Sequence, residues 1–400
     1  MFTLEPHQQQ VIDDNKDKVG LFFDRGIGKT VIALSMAQGK TLVVCKKQQK
    51  DEQSFLKECI KFNLTVDLTV LTRDEFRKLH KTLAYFDTLI IDEADQMLNG
   101  AITVWRGQMA MKSAGIAKAL KWYIKNINPK RVYPATATIL RTPVVLFNTA
   151  YILGVEWNID EYIKTYYYIR EGKAKVDTKK EDKFVADARS LGYTGSHKKY
   201  KYVPEQVIIP VFLPLTDEQR YYINDVITSY SNTSVQLSKM YQVHNGLLNG
   251  NQFSETIRIK NNKTDYILNL AKQHKQMIIF AQHTEQIEEL QEILKDYKLF
   301  VLTGKTKKRK ELNEEAKKTA EYIFIAQSTI SAGWELPECP VTVFASGWVA
   351  DDTIQGEGRV QRGNNLKENI YYYIMTDTSI DRALYKKLET KKRLYEKLHE

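Results

Sequence analysis

The stretch Val19-Gly20-Leu21-Phe22-Phe23-Asp24-Arg25-Gly26-Ile27-Gly28-Lys29-Thr30-Val31-Ile32-Ala33-Leu34 decides the fold. Val19 to Phe23 is a short apolar run, the right length for a buried parallel strand. Val31 to Gln38 reads as a helix. Strand, glycine loop, helix is the context in which a chain cradles phosphate. Gly26 and Gly28 let backbone N–H groups close on phosphate oxygens. Lys29 would reach the β- and γ-phosphates of a nucleotide, and the Thr30 hydroxyl would ligate Mg²⁺. The full pattern wants a glycine where Phe23 stands, so the match is to its second half.

A second Gly-Lys-Thr, at 304–306, runs into Lys307-Lys308-Arg309-Lys310 instead of an apolar helix start, and reads as a decoy. Downstream of the first, Tyr85 to Ile91 is another strand that ends in Asp92-Glu93-Ala94-Asp95. A carboxylate at the C-terminal end of a strand beside a phosphate loop is where Mg²⁺ is held. Asp92 is therefore expected at the metal and Glu93 at the attacking water.

The rest of the chain sets the frame. At 400 residues it is too long for one ordinary domain. With 43% hydrophobic and 27% charged residues it is neither disordered nor collagen-like. No window holds the roughly 18 apolar residues that a membrane span needs. The first fifteen residues lack the pattern of a signal peptide. Three scattered cysteines (Cys45, Cys59, Cys339) form neither a disulfide framework nor a zinc pattern, which points to a reducing compartment. Lys plus Arg is 59 against 49 Asp plus Glu, a net charge of +10 that suits a polyanionic partner.

A phosphate loop followed by Asp-Glu-Ala-Asp resembles the motif pair of superfamily 2 helicases and translocases. Two branches compete, the DEAD-box RNA helicases and the Swi/Snf-type double-stranded DNA translocases. Ala135-Thr136-Ala137-Thr138-Ile139-Leu140-Arg141-Thr142-Pro143 is similar to the Leu-Thr-Gly-Thr-Pro motif of the second branch, with Ile139 in place of its proline. Pro204 to Tyr222 looks like that branch's link into a second motor domain. Leu237 to Leu248, with Gln242, His244 and Asn245, fits the same branch. Met277 to His283 resembles the first strand of the second domain. Ala326 to Leu336 resembles the fifth motif, with Glu335 where asparagine is usual and one glycine missing. Gln355-Gly356-Glu357-Gly358-Arg359-Val360-Gln361-Arg362 matches Gln-x-x-x-Arg-x-x-Arg without a gap. The His-Arg of the DEAD-box sixth motif is absent. Near the N-terminus, Leu4-Glu5-Pro6-His7-Gln8 is similar to Leu-Arg-Pro-Tyr-Gln.

The resemblance implies an α/β chain of two tandem RecA-like domains with an ATP cleft between them, and ATP and Mg²⁺ as cofactors. It implies that Gln8 reads the adenine edge and that Gly333 and Glu335 lie at the nucleotide. Arg359 and Arg362 would stabilise the charge of phosphoryl transfer. Their offsets from Gln355 put all three near one helical face. Lys46, Lys47, Thr72, Arg73, Thr303, Ser328 and Thr329 fall in nucleic-acid-facing motifs, whose contacts would be mainly with phosphates.

The expected division is a first domain over 1–170, a basic insertion or linker over 171–204, and a second domain over 205–400 ending in an amphipathic helix. The insertion holds nine basic and five acidic residues; residues 305–318 hold seven and three. The expected activity is ATP-driven translocation or unwinding of duplex, forked or branched DNA in replication, recombination or repair. Single-strand-binding or replication proteins are possible partners. The expected setting is the cytoplasm of a bacterial or phage-infected cell, on economy of size alone. Two other readings remain: an ATP-dependent RNA helicase, and an ATP-gated DNA clamp or loader that unwinds little.

Overall fold

Strands that carry no polar face must be covered on both sides, and the short apolar runs of this chain are. The computed structural model describes residues 3–196, 200, 206–249, 255–328, 334, 336, 339–346, 350–360 and 368–400. It divides into two compact units, residues 1–201 with 393–400, and residues 202–392.

In the first unit the strands are β1 (Gly20–Phe23), β2 (Lys40–Cys45), β3 (Asp67–Thr72), β4 (Thr88–Asp92), β5 (Gly100–Trp105), β6 (Gln108–Ser113), β7 (Arg131–Ala135), β8 (Tyr167–Arg170), β9 (Lys173–Val176) and β10 (Gly192–Gly195). Six form a sheet in the order β10-β1-β7-β4-β2-β3, parallel throughout. β1, β4 and β7 are buried along their whole length, as central parallel strands must be. The pairs β5–β6 and β8–β9 are separate antiparallel hairpins. Leu21, Phe23, Ile27, Ile32, Val43, Ile90 and Tyr133 share one core with the helices Lys29–Ser35 and Ser54–Phe62.

The basic segment expected as an insertion or linker is not one. Through residue 196 it supplies β9, the helix Glu181–Ser190 and β10, which pairs with the whole of β1. The pairing needs close backbone approach: a Cβ on Gly192 would sit 2.2 Å from the Gly20 carbonyl oxygen. Lysines gave the segment a solvated look, but its helix buries Phe184, Val185 and Ala188. Arg189 in that helix donates to the carbonyls of Lys397 and Leu398.

The second unit holds β11 (Gln206–Leu213), β12 (Leu247–Leu248), β13 (Ile257–Arg258), β14 (Gln276–Ala281), β15 (Leu299–Leu302), β16 (Tyr322–Gln327), β17 (Val341–Phe344) and β18 (Asn369–Thr376). Its sheet runs β11-β18-β17-β14-β16-β15, again parallel. The link into this unit is itself its first strand: β11 pairs with β18 over eight positions. One face of the sheet packs Ile278, Phe280, Phe324, Trp334 and Leu388; the other packs Ile279, Ile325 and Val343 under Ile267, Leu270, Ile287 and Leu290. The C-terminal helix, Ser379–His399, buries Leu388 in this unit, while its last residues, from 393 on, belong to the first unit and bury Leu394, Tyr395 and Leu398.

A buried polar knot ties this unit together. Asp381 accepts from the Thr376 amide at 2.7 Å, and its other oxygen lies 2.9 Å from His244 Nδ1. Lys263 Nζ lies 3.8 Å from Asp381 and donates to Asn245 at 2.9 Å. Burial alone would raise the Asp381 carboxyl. The His244 hydrogen bond, the Lys263 charge and the Thr376 amide outweigh it and hold the carboxyl below its ordinary value. Each unit is thus a parallel six-stranded sheet flanked by helices, the two tandem RecA-like domains expected.

Candidate nucleotide and nucleic-acid site

In open parallel sheets, ligands gather at the C-terminal ends of the strands. In the first unit the loop after β1, Asp92 at the end of β4 and Thr136 just past the end of β7 all lie on that edge. Gly26 and Gly28 adopt φ of +71° and +93°, a region that side chains with a Cβ disfavour. A Cβ on Gly28 would also stand 2.2 Å from the Gln8 amide nitrogen.

The loop is braced from behind. Gln8 Nε2 donates to the Ile27 carbonyl at 2.9 Å, and His7 Nε2 lies 3.2 Å from the same oxygen. Gln8 Oε1 accepts from the Glu5 amide, 2.9 Å away. The His7 ring stacks on Tyr200 with centroids 4.1 Å apart. Gln8 keeps one amide proton and one lone pair for another partner. Its placement against the phosphate loop is a bracing role that the sequence did not reveal.

Lys29 Nζ donates to the carbonyls of Phe23 and Asp24, each at 2.8 Å. Burial lowers its pKa to about 8, and the nearby charges of Glu93, Asp24 and Asp92 work against that fall. A lysine with little water around it and two short carbonyl contacts is well suited to phosphate oxygens. Thr30 follows it in the first turn of the helix Lys29–Ser35.

Asp92 is buried, and Gln49 donates to it. Burial and then the Glu93 carboxylate push Asp92 above the usual carboxylate range; Gln49, Lys29 and Lys46 pull the other way. Glu93 sits at φ +50°, left-handed for a residue with a side chain, at the start of the short helix Ala94–Met97. Such strain persists where the surroundings over-determine it. Asp95 is fully buried: Thr136 Oγ1 donates to it at 2.6 Å and Arg141 Nη1 lies 3.3 Å away. Burial and Glu93 raise Asp95 as well. Gln49, Asp95 and Arg141 carried no assigned role in the sequence. Gln49 stands three residues past Lys46 in a motif already singled out, which is the spacing of a reciprocal cap.

No cluster of three or more metal-binding side chains occurs among the described residues. Mg²⁺ normally takes one or two protein oxygens and shares the rest with phosphates and water. A hydroxyl at Thr30 and a buried, hydrogen-bonded carboxylate at Asp92 fit that donor set.

The basic candidates of the first unit fall on neighbouring strand ends. Cys45 pairs with Thr72 in register, so Lys46 and Lys47 follow β2 beside Thr72 and Arg73 at the end of β3. Thr72 already caps the helix Arg73–Leu79, accepting from the Glu75 amide at 3.2 Å, and its side chain also hydrogen-bonds the Glu75 carboxylate. Arg73 is exposed, 3.9 Å from Asp74.

In the second unit Thr303 and Ser328 follow β15 and β16, again adjacent and parallel. Gly304-Lys305-Thr306 is a turn in which Thr303 N donates to Thr306 and Gly304 N to Gln327. It contains neither the glycine geometry nor the helix of a phosphate loop, as expected of a decoy. Arg359 is buried in a turn just past the helix Ala350–Glu357. The helix ends at Glu357 and residues 358–360 form a turn, so Gln355 and Arg359 do not share a continuous helical face as their spacing suggested. Gly356 and Gly358 favour the break. Thr329, Gly333, Glu335 and Arg362 lie outside the described residues, as does the Gln355 side chain.

Residues 260–364 match the helicase conserved C-terminal domain. The helicase domain of Pyrococcus furiosus Hef is similar in structure: TM-score 0.54, 12% identity, 96% of this chain and 98% of that one. The Swi2/Snf2 ATPase core of Sulfolobus solfataricus, solved with double-stranded DNA, is 17% identical over 98% of this chain and 92% of that one, with a TM-score of 0.43. That score does not discriminate between branches. No curated protein matches the chain in sequence. The resemblance to superfamily 2 helicases is borne out in the fold and in the C-terminal domain. No helix is long and apolar enough to cross a membrane.

Proposed function

We propose that this chain is an ATP-driven translocase or helicase of the Swi/Snf-like branch, acting on duplex, forked or branched DNA. One observation carries the reading: the half-buried Lys29 of a left-handed glycine loop has as its charged neighbours the carboxylates of Asp24, just past β1, and of Asp92 and Glu93, at the end of β4, two strands that flank β7. That is a cation and an acid pair at one sheet edge, in a chain whose residues 260–364 match the helicase conserved C-terminal domain.

The residues take these roles. The loop amides around Gly26 and Gly28, with Lys29, bind and orient the phosphates. Thr30 and Asp92 hold Mg²⁺, which neutralises phosphate charge when bound. Glu93 orients the attacking water. Gln355, Arg359 and Arg362 stabilise charge on the phosphoryl group in transfer, a contribution of about 10³–10⁵ in rate for an arginine so used. Gly333 and Glu335 line the nucleotide. Lys46, Lys47, Thr72, Arg73, Thr303, Ser328 and Thr329 hold the DNA backbone, so affinity falls steeply with salt.

The test is steady-state ATP hydrolysis with no nucleic acid, closed duplex, single-stranded DNA, a forked junction and RNA, with Lys29→Ala as the blank. Strongest stimulation by duplex or forked DNA is the expected result. Stimulation by RNA alone would make the chain an RNA helicase. Tight ATP-dependent DNA binding with negligible turnover would make it a clamp.

A further inference from the structure

Between Asp95 and β7 the chain leaves the sheet to form the hairpin β5–β6, and a second hairpin, β8–β9, packs with its β9 beside β5. Ile102, Val104, Met109 and Met111 alternate on one face of the first hairpin and are half-buried. That face turns toward the helices Pro143–Ile152 and Ile159–Tyr166. The opposite face is exposed, and it is neither bland nor acidic.

Trp105 ends β5 with 74% of its surface exposed, more than any other large apolar side chain described. Arg106 lies over its ring, 5.7 Å from the centroid. Arg106 and Gly107 form the turn at φ +48° and +76°, so both central residues are left-handed. Asparagine or glycine fits the first of these positions without strain; arginine costs about 1–2 kcal/mol there. The second hairpin turns the same way through Glu171 and Gly172 and exposes Tyr168. Arg106, Lys112, Lys173 and Lys175 are exposed and make no ion pair among the described residues. The one carboxylate on the two hairpins, Glu171, is paired with Arg170 at 3.5 Å.

We infer that the two hairpins form a stacking platform for single-stranded DNA, with Trp105 stacked on a base and Arg106, Lys112, Lys173 and Lys175 on the flanking phosphates. Exposed aromatics interleaved with unpaired cations are the recurring chemistry of strand binding without sequence preference. A duplex hides its base faces except at its ends, so an exposed indole selects an unpaired or terminal base. The inference rests on the motor reading and adds to it a point where strands part. None of its residues is among the strand-end residues assigned to the DNA backbone.

The test is equilibrium binding of a single-stranded DNA oligonucleotide containing 2-aminopurine, without ATP, by the full chain. Wild type should bind and quench the probe. Trp105→Ala should bind about tenfold more weakly with the quenching lost, and Trp105→Phe should recover most of both. Replacing the four cations by glutamine should flatten the salt dependence by up to about 0.7 log units of affinity per log unit of salt for each phosphate no longer neutralised. Circular dichroism melting, unchanged because Trp105 is exposed, separates lost binding from lost folding. Equal affinity and quenching in Trp105→Ala overturns the inference and leaves the face to a protein partner. An absence of ATP hydrolysis under every nucleic-acid condition defeats the motor reading instead, and the binding result is independent of it.

Discussion

Thr136 Oγ1 donates a 2.6 Å hydrogen bond to Asp95, joining the segment after β7 to the acidic turn after β4. The bond reaches a carboxylate with no solvent of its own, which Arg141 and Thr138 also support. Thr136→Val keeps the shape and removes the donor. A buried charge that loses a partner costs about 1–3 kcal/mol or more. The urea midpoint should fall accordingly, and Thr136→Ser should restore it. An unshifted midpoint in the valine variant would show that Arg141 and Thr138, which also hydrogen-bonds Asp95, suffice.

Gly28→Ala places a Cβ at φ +93° and against the Gln8 amide. The strain is about 1–2 kcal/mol before the collision is counted. Titration with a fluorescent ATP analogue should show affinity reduced at least about tenfold, approaching the Lys29→Ala blank.

Gln8→Ala removes the clasp on the Ile27 carbonyl and leaves His7 as its remaining side-chain partner. A hydrogen bond of this kind contributes about 0.5–1.5 kcal/mol. The expected result is a rise in the KM for ATP of roughly two- to tenfold with kcat less affected, read from initial rates. If Gln8 also reads adenine, the preference for ATP over GTP will shrink in the same variant.

Asp381→Asn leaves Lys263 buried without its counter-charge. Breaking one side of a buried pair costs about 3–5 kcal/mol. The sign of the pH effect follows from the depressed carboxyl. The stability it confers is complete above its unfolded value of about 4 and is lost as pH falls through the lower folded value. Denaturant midpoints of wild type and variant should therefore differ at pH 7 and converge toward pH 2.

The residues that carry chemistry were the most legible. Asp92 ends a strand and Lys29 opens the helix after one, because short apolar runs mark buried parallel strands, and the structure starts or ends those strands within three residues of expectation. What the sequence concealed depends on packing at a distance. β10 is Gly-Tyr-Thr-Gly, with no apolar run, and Gly192 is what lets its backbone close on Gly20 of β1. The hairpin β5–β6 alternates as strands do, yet nothing local says that it leaves the sheet. The face shared by Gln355 and Arg359 was read from helical periodicity, and the helix stops at Glu357. Asp95, the fourth letter of a familiar motif, acquired a role only when Thr136, 41 residues later, was seen to reach it.

The lateness of β10 has a consequence for how the chain is made. The strand that leads into the phosphate loop waits for a neighbour about 170 residues downstream. At roughly 5–20 residues per second, translation leaves one flank of β1 without its β10 neighbour for about 10–30 s. An unpaired strand flank of buried phenylalanines is sticky during that interval. The nascent first unit therefore exposes that flank until β10 arrives, and swapping Gly192 for a bulkier residue should lower soluble yield before it lowers activity.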